Sequence, residues 1–290
     1  MPKIVRNPRI RDNIRIVDYN LYFNGTPERQ TELMDWYERG EVIVLSNYRF
    51  DAGRKVIANT SFPNGTKKLR LHSAGLNHLD APREREWGEV RQILNNDEAK
   101  VAEFEAAVAA ANAELIRLVD GLFPRYRYTK RLCIYNLTEM LAINLHFDSP
   151  QHADISTQVR AFVNMDNFPR IWHVGQSLEE VVRDFYDEAG AAKLEGGHPR
   201  AFTRAMTQAA FGDRFESGAR PWPRHSIAFR PGEVWFVYPN VTAHEVIYGR
   251  RLLDAVFMFE QDDLLNKERY LPTLVERFHA ERRKATPNPE

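Results

Sequence analysis

The segment FRPGEVWFVYPNVTAHEVIYGRRLLDAVFMFE, residues 229–260, restricts the fold of this chain more than any other stretch. Its apolar runs are rich in valine and aromatic residues and too short for helices. Turn pairs divide them, Pro231-Gly232 before EVWFVY and Pro239-Asn240 before the run that His244 opens. Short β-branched and aromatic runs bounded by such pairs read as strands. A β-rich centre is therefore expected, ending in the strand RLLDAVFMF from Arg251.

Helical patterns flank that centre. GTPERQTELMDWYERGEVIVL predicts a helix from about Pro27 and a strand after Gly40. NDEAKVAEFEAAVAAANAELIRLVDGLFP is the strongest helix, with acidic residues in its first turn and a stop at Gly121 before Pro124. Its Val101, Phe104, Val108, Leu115 and Leu118 recur at helical spacing, a stripe that packs on a sheet. PRIWHVGQSLEEVVRDF reads as a strand carrying Trp172 and His173, a turn at Gly175, then an amphipathic helix with Ser177 and Glu180 as a capping box. A second helical insert runs from about Pro199 to Phe211, and LLNKERYLPTLVERFHAERRKA predicts a C-terminal helix with a basic end. Such inserts commonly shape the mouth of a site.

Chemistry enters through His-x-Asp pairs, of which the chain holds three: His78/Asp80, His146/Asp148 and His152/Asp154. The first sits between a glycine turn and a polar breaker, with no strand pattern beside it. The third follows Ser149-Pro150 in a loop and stays a lesser candidate. The second ends LCIYNLTEMLAINLHFD, whose alternation over Ala142, Asn144, His146 and Asp148 sends both ligands to one face of a strand. His244 follows Asp148 by 96 positions. Two histidines and a carboxylate on one face suit non-haem Fe(II), because the opposite face stays open to a co-substrate and dioxygen.

Between these ligands STQVRAFVNMD alternates, with Gln158, Arg160 and Phe162 on one face and Val159, Ala161 and Val163 on the other. The polar face either looks into the site or is solvated. The other reading of the three ligands themselves is a jelly roll that binds zinc or no metal.

With its glycine turn, aromatic strand, His244-Glu245-Val246 and the basic pair that follows, residues 131–260 resemble the Fe(II)/2-oxoglutarate-dependent dioxygenases. The resemblance implies a double-stranded β-helix of jelly-roll or cupin type within an α+β chain. It implies Fe(II) held by His146, Asp148 and His244, with 2-oxoglutarate and O2 as co-substrates. In that family a basic residue pairs with the far carboxylate of 2-oxoglutarate, a task the planar guanidinium fork suits. Arg251 is the first choice here and Arg250 the second, since neighbours on a strand face opposite ways. The interval from His244 is a couple of residues shorter than in many members. Tyr135 sits near where relatives place a tyrosine that also touches 2-oxoglutarate.

FVNMDNFPRIWHVGQSLEEVVRDF resembles something narrower: the Kdo hydroxylases, bacterial enzymes that add a hydroxyl at carbon 3 of 3-deoxy-D-manno-oct-2-ulosonic acid in the lipopolysaccharide inner core. Asn164, Asp166, Arg170, Trp172, Val174 and Gly175 carry the likeness. It implies Kdo-bearing lipid A as substrate and cations around the pocket for acidic groups; Arg127, Arg131, Arg160, Arg170, Arg224 and His225, with Gln158, are the candidates. It also implies peripheral contact with the inner membrane, which the basic C-terminal end would suit.

Composition sets the outer limits. With 290 residues, 43% of them hydrophobic, and nothing resembling a linker, one domain is expected, divided as elaboration over about 1–125, core over about 126–260 and helix over about 261–290. Forty basic residues balance forty acidic ones, which argues against non-specific nucleic-acid binding. The single Cys133 excludes a disulfide framework and suits a reducing cytosol. No apolar run approaches the roughly 20 residues of a membrane span, and no signal segment opens the chain, so a cytoplasmic protein is expected. Two other functions remain open on the sequence: the same iron chemistry on another small molecule, amino acid or protein side chain, and a non-catalytic jelly-roll module that binds carbohydrate.

Overall fold

The computed structural model describes residues 1–61, 68–73, 84–138, 142–150, 157–213 and 222–285. The His78/Asp80 and His152/Asp154 pairs lie outside the described residues.

The strands, in chain order, are β1 (Lys3–Val5), β2 (Ile14–Asp18), β3 (Val42–Ser46), β4 (Lys68–Ser73), β5 (Tyr128–Thr138), β6 (Ile143–His146), β7 (Thr157–Asn164), β8 (Arg170–Ser177), β9 (His225–Phe229), β10 (Val234–Val237), β11 (Thr242–Tyr248) and β12 (Arg251–Phe259). They form two sheets. The larger runs β2-β3-β10-β7-β12-β5-β4 and the smaller β1-β9-β8-β11-β6. Every pairing is antiparallel except β2 with β3.

The two sheets face each other, because one apolar cluster takes residues from both: Val44, Phe162, Trp235 and Leu252 from the larger, Trp172, Val174, Ile227, Phe229 and Val246 from the smaller. Trp235 stacks on Phe229 with ring centroids 3.8 Å apart and on Phe162 at 5.5 Å. Side chains alternate across a strand. The opposite faces therefore pack outward, with Val159, Ala161, Val163, Leu253, Ala255 and Phe257 of the larger sheet and Leu145, Phe147 and Ala243 of the smaller in a second cluster that includes helix residues.

The helices are α1 (Tyr19–Tyr22), α2 (Pro27–Glu38), α3 (Arg54–Asn59), α4 (Glu84–Ile93), α5 (Glu98–Leu122), α6 (Leu178–Phe185), α7 (Pro199–Phe211) and α8 (Leu271–Ala285). Helix α5 buries the whole expected stripe. It covers the outer face of the larger sheet, where the Tyr135 hydroxyl donates to Asn112 Oδ1 at 2.7 Å. Helices α6 and α7 cover the smaller sheet; Phe147 meets Phe211 at 5.8 Å between centroids. The Ser177–Glu180 capping box forms in both directions.

Two glycines differ from their sequence reading. Gly121 does not stop α5 but lies inside its last turn, where a Cβ would sit 2.2 Å from the Phe23 ring. Gly175 is no turn either: it continues β8, close beneath Leu145 and Ala243, which a Cβ would meet at 3.1–3.2 Å. Packing and not backbone conformation explains both: Gly121 leaves no room for a Cβ, and at Gly175 a Cβ would be tight against its neighbours. Among the described residues no helix is long and apolar enough to cross a membrane.

Candidate metal centre

His146 ends β6 and His244 lies near the start of β11, and the two are cross-strand partners. Since Leu145, Phe147 and Ala243 face the helices, alternation sends both histidines into the space between the sheets. Their rings stand 4.4 Å apart. Asp148 follows two residues after His146, its Oδ1 3.4 Å from His146 Nε2. Potential ligand atoms of His146, Asp148 and His244 all fall within 4.8 Å of one another.

Each ring is oriented from behind. His146 Nδ1 lies 2.6 Å from the Asn144 carbonyl and His244 Nδ1 lies 3.1 Å from that of Thr242. A carbonyl only accepts, so a neutral ring carries its proton on Nδ1 and turns the Nε2 lone pair inward, as a metal-ligating histidine requires. His146 Nε2 is buried without a hydrogen-bond partner. An orphaned lone pair beside a carboxylate and a second imidazole fits a divalent cation well.

The backbone of Asp148 is fixed on both sides. Its N–H donates to the Pro239 carbonyl at 2.9 Å, and its carbonyl accepts from Asn240 Nδ2 at 2.8 Å. Asn240 Oδ1 in turn accepts from Gln158 Nε2 at 2.7 Å. Arg160 Nη1 donates to Asp148 Oδ2 at 3.3 Å, while the rest of its fork grips Asp254 at 2.7–3.1 Å. Burial alone would raise the Asp148 carboxyl, but His146, Arg160 and His244 outweigh it and hold the group well below the ordinary carboxylate range. It is an anion at neutral pH, ready to ligate.

Asp254 and Asn240 escaped the sequence reading. A lone acid inside RLLDAVFMF was the available signal, because a buried carboxylate demands a partner. Asn240 was visible only as half of a turn. Gln158 and Arg160 do lie on the inward face of β7 beside Phe162, so the solvated-face alternative falls.

Other expected residues lie elsewhere. Arg251 shares the outward face with Leu253 and Ala255 and donates to the carbonyls of Thr138 at 2.5 Å and Thr60 at 2.9 Å. The inward phase of β12 belongs to Leu252 and Asp254. Arg250 makes a two-point pair with Asp166, at 2.9 and 3.1 Å. Tyr135 points at α5 and away from the histidines. Arg127, Arg131 and Arg224 pair with Asp263, Asp120 and Glu245. His225 uses both ring nitrogens on backbone groups, accepting from Asn7 N–H and donating to the Arg11 carbonyl, each at 2.9 Å. At the basic end of α8, Arg282 pairs with Asp187 and Arg283 with Glu195. Arg170 and His225 are the deeply buried members of the outlying candidates, at 2% and 1% exposed, each in phase with inward residues of its strand.

No protein-family model matches the chain, and no curated protein matches it either. Solved structures do. The Kdo hydroxylase KdoO, a non-haem Fe(II) alpha-ketoglutarate dependent dioxygenase, was solved in complex with cobalt(II); it superposes with a TM-score of 0.60 over 91% of this chain and 95% of its own. The chain has the fold of a Kdo hydroxylase. Identity is 15% over that alignment. The same hydroxylase with alpha-ketoglutarate and Fe(III) gives a TM-score of 0.58, also at 15% identity, over 90% of this chain and 95% of its own. With succinate and Fe(III) the figures are 0.58 and 16%, over 91% and 95%.

Proposed function

We propose that this chain is an Fe(II)/2-oxoglutarate-dependent hydroxylase, that its two sheets are the halves of a double-stranded β-helix within a single 290-residue domain, and that its substrate is the Kdo sugar of Kdo-bearing lipid A. The observation that carries the reading is the cluster of His146, Asp148 and His244 turned inward between the sheets. Those three side chains would hold the iron by one face. Bound there with 2-oxoglutarate, Fe(II) supplies the means to activate dioxygen and hydroxylate an unactivated carbon. The chain supplies position and dryness. Carbonyls behind both imidazoles fix the ligating nitrogens, Arg160 fixes the carboxylate and Asn240 the backbone of Asp148, and Trp172 packs its ring 5.1 Å from that of His244 to exclude water.

Support for Kdo comes from two directions: the fold shared with a Kdo hydroxylase, and the FVNMDNFPRIWHVGQSLEEVVRDF wording around Trp172. Hydroxylation at carbon 3 is the reaction this reading expects. The test is mass spectrometry of Kdo-bearing lipid A after incubation with the protein, Fe(II), 2-oxoglutarate and oxygen, against a sample without 2-oxoglutarate. One added oxygen on the sugar, present only with the co-substrate, is the expected result. Succinate release with an unaltered sugar would discard Kdo and keep the hydroxylase. His146→Ala and Asp148→Ala should each abolish turnover and leave far-UV circular dichroism unchanged; full activity in both would remove these residues from the metal centre.

A further inference from the structure

His146 and His244 are held by the sheet itself, as cross-strand partners on β6 and β11. Asp148 is not. Strand β6 stops at His146, and the residues that follow belong to no strand. Buried backbone groups that leave a sheet need other partners. For Asp148 the turn between β10 and β11 supplies them, through the Pro239 carbonyl and the Asn240 side chain.

The two residues beside Asp148 are met by α7, the helical insert over the smaller sheet. The buried Phe147 N–H donates to Thr207 Oγ1 at 3.2 Å, and Ser149 Oγ lies 3.3 Å from Thr203 Oγ1. The Phe147 ring packs on Phe211. Thr203, Thr207 and Phe211 stand four residues apart, so one face of α7 runs along residues 147–149. The helix itself is well fixed. His198 caps its start ahead of Pro199, and Phe202 packs on Phe278 and His279 of α8 with ring centroids 6.1 and 5.3 Å apart.

For the helix alone, threonine is a poor choice at both places, because it is a weaker helix former than alanine. Valine has a similar shape and would lack only the hydroxyl, leaving the buried Phe147 N–H without an acceptor. A mid-helix threonine commonly turns its hydroxyl to a carbonyl of the preceding turn. Thr203 does so, 3.3 Å from the Arg200 carbonyl, and still reaches Ser149. The hydroxyls therefore serve the chain on either side of Asp148.

We propose that Thr207 and Thr203 are positioning residues for Asp148, fixing from the helical layer the one ligand of the metal centre that no strand pairing holds. The assignment rests on the metal-centre reading above. Metal-free protein takes up Co(II) in competition with a chelator of known affinity, and the visible absorption of the bound ion reports its ligand geometry.

Thr207→Val should weaken Co(II) binding by about tenfold and alter the absorption, the lower end of the effect usual for groups that orient ligands. Thr203→Val should do so to a smaller degree, since it acts on a side chain and not on the backbone. Thr207→Ser keeps the hydroxyl and should bind as the wild type does. Ala205→Gly, which loosens α7 on the side away from residues 147–149, should lower the urea midpoint and leave Co(II) affinity unchanged. Wild-type affinity and absorption in folded Thr207→Val overturn the assignment and leave the metal centre standing, and so does a loss in Thr207→Ser or Ala205→Gly as large as in Thr207→Val. If Thr207→Val does not fold, Thr203→Val carries the same comparison. A wild type that takes up no Co(II) removes the metal centre and the assignment with it.

Discussion

Arg160 is the residue on which the candidate metal centre turns, although it is not one of the three proposed ligands. Its guanidinium spans Asp254 and the outer oxygen of Asp148, which leaves Asp148 Oδ1 to face His146. Groups that orient ligands commonly contribute 10–100-fold in metal affinity. Arg160→Gln should therefore weaken Co(II) binding by about that factor, measured by competition with a chelator. Unchanged affinity would reduce Arg160 to a partner of Asp254 alone. The phase of β7 made Arg160 and Gln158 readable in the sequence, since a period of two is local. The phase of β12 misled for Arg251, because a strand pattern gives two faces without saying which is inside. Asp254, the acid in that apolar run, marks the inward face.

At the scale of elements, helix signals were legible wherever their physics is local. The Thr26-Pro27 start of α2, the Ser177–Glu180 box of α6 and the Pro199 start of α7 each form within a few residues of chain. Gly121 and Gly175 were not legible, unlike the turn glycine Gly232. Gly121 has the sequence signature of a helix stop and the structural role of making room for Phe23, a residue 98 positions away. Alanine is the better helix former by about 1 kcal/mol, yet forcing a methyl onto an aromatic ring costs about 1–3 kcal/mol. Gly121→Ala should lower the unfolding free energy by about 1 kcal/mol, read from the urea midpoint. A stabilised variant would restore Gly121 to the ordinary helix-stop role.

Taken whole, the molecule buries ionisable groups on both sides of the larger sheet. Tyr37, Tyr126, Tyr135 and Tyr238 are each at most 3% exposed, and burial pushes all four hydroxyls upward. Cys133, in the same layer, is pushed up to about 12 by burial. A raised folded-state pKa means the folded form keeps its proton while the unfolded chain loses it near pH 10 for tyrosine and about 8.5 for cysteine. The tyrosine contribution to stability is thus complete below pH 10 and disappears as pH rises above it, by up to about 1.4 kcal/mol per unit for each group. The denaturant midpoint should hold level from pH 7 to 8 and fall steeply between 10 and 11. A flat profile to pH 11 would show that these hydroxyls meet water.

The sequence by itself determined the main helices and the strands of the centre, and the two-residue spacing that brings His146 and Asp148 to one face, because each depends on periods and turns confined to a few residues. Tertiary structure decided which face of β12 lies inside, that Arg170 is buried with its Nε lacking a hydrogen-bond partner among the described residues, and that Asp254 and Asn240 stand behind Asp148. Those facts depend on which strands become neighbours across and between the sheets: β12 lies between β5 and β7, and β11 lies between β8 and β6. Such pairings join residues separated by tens of positions or more, and no local pattern encodes them.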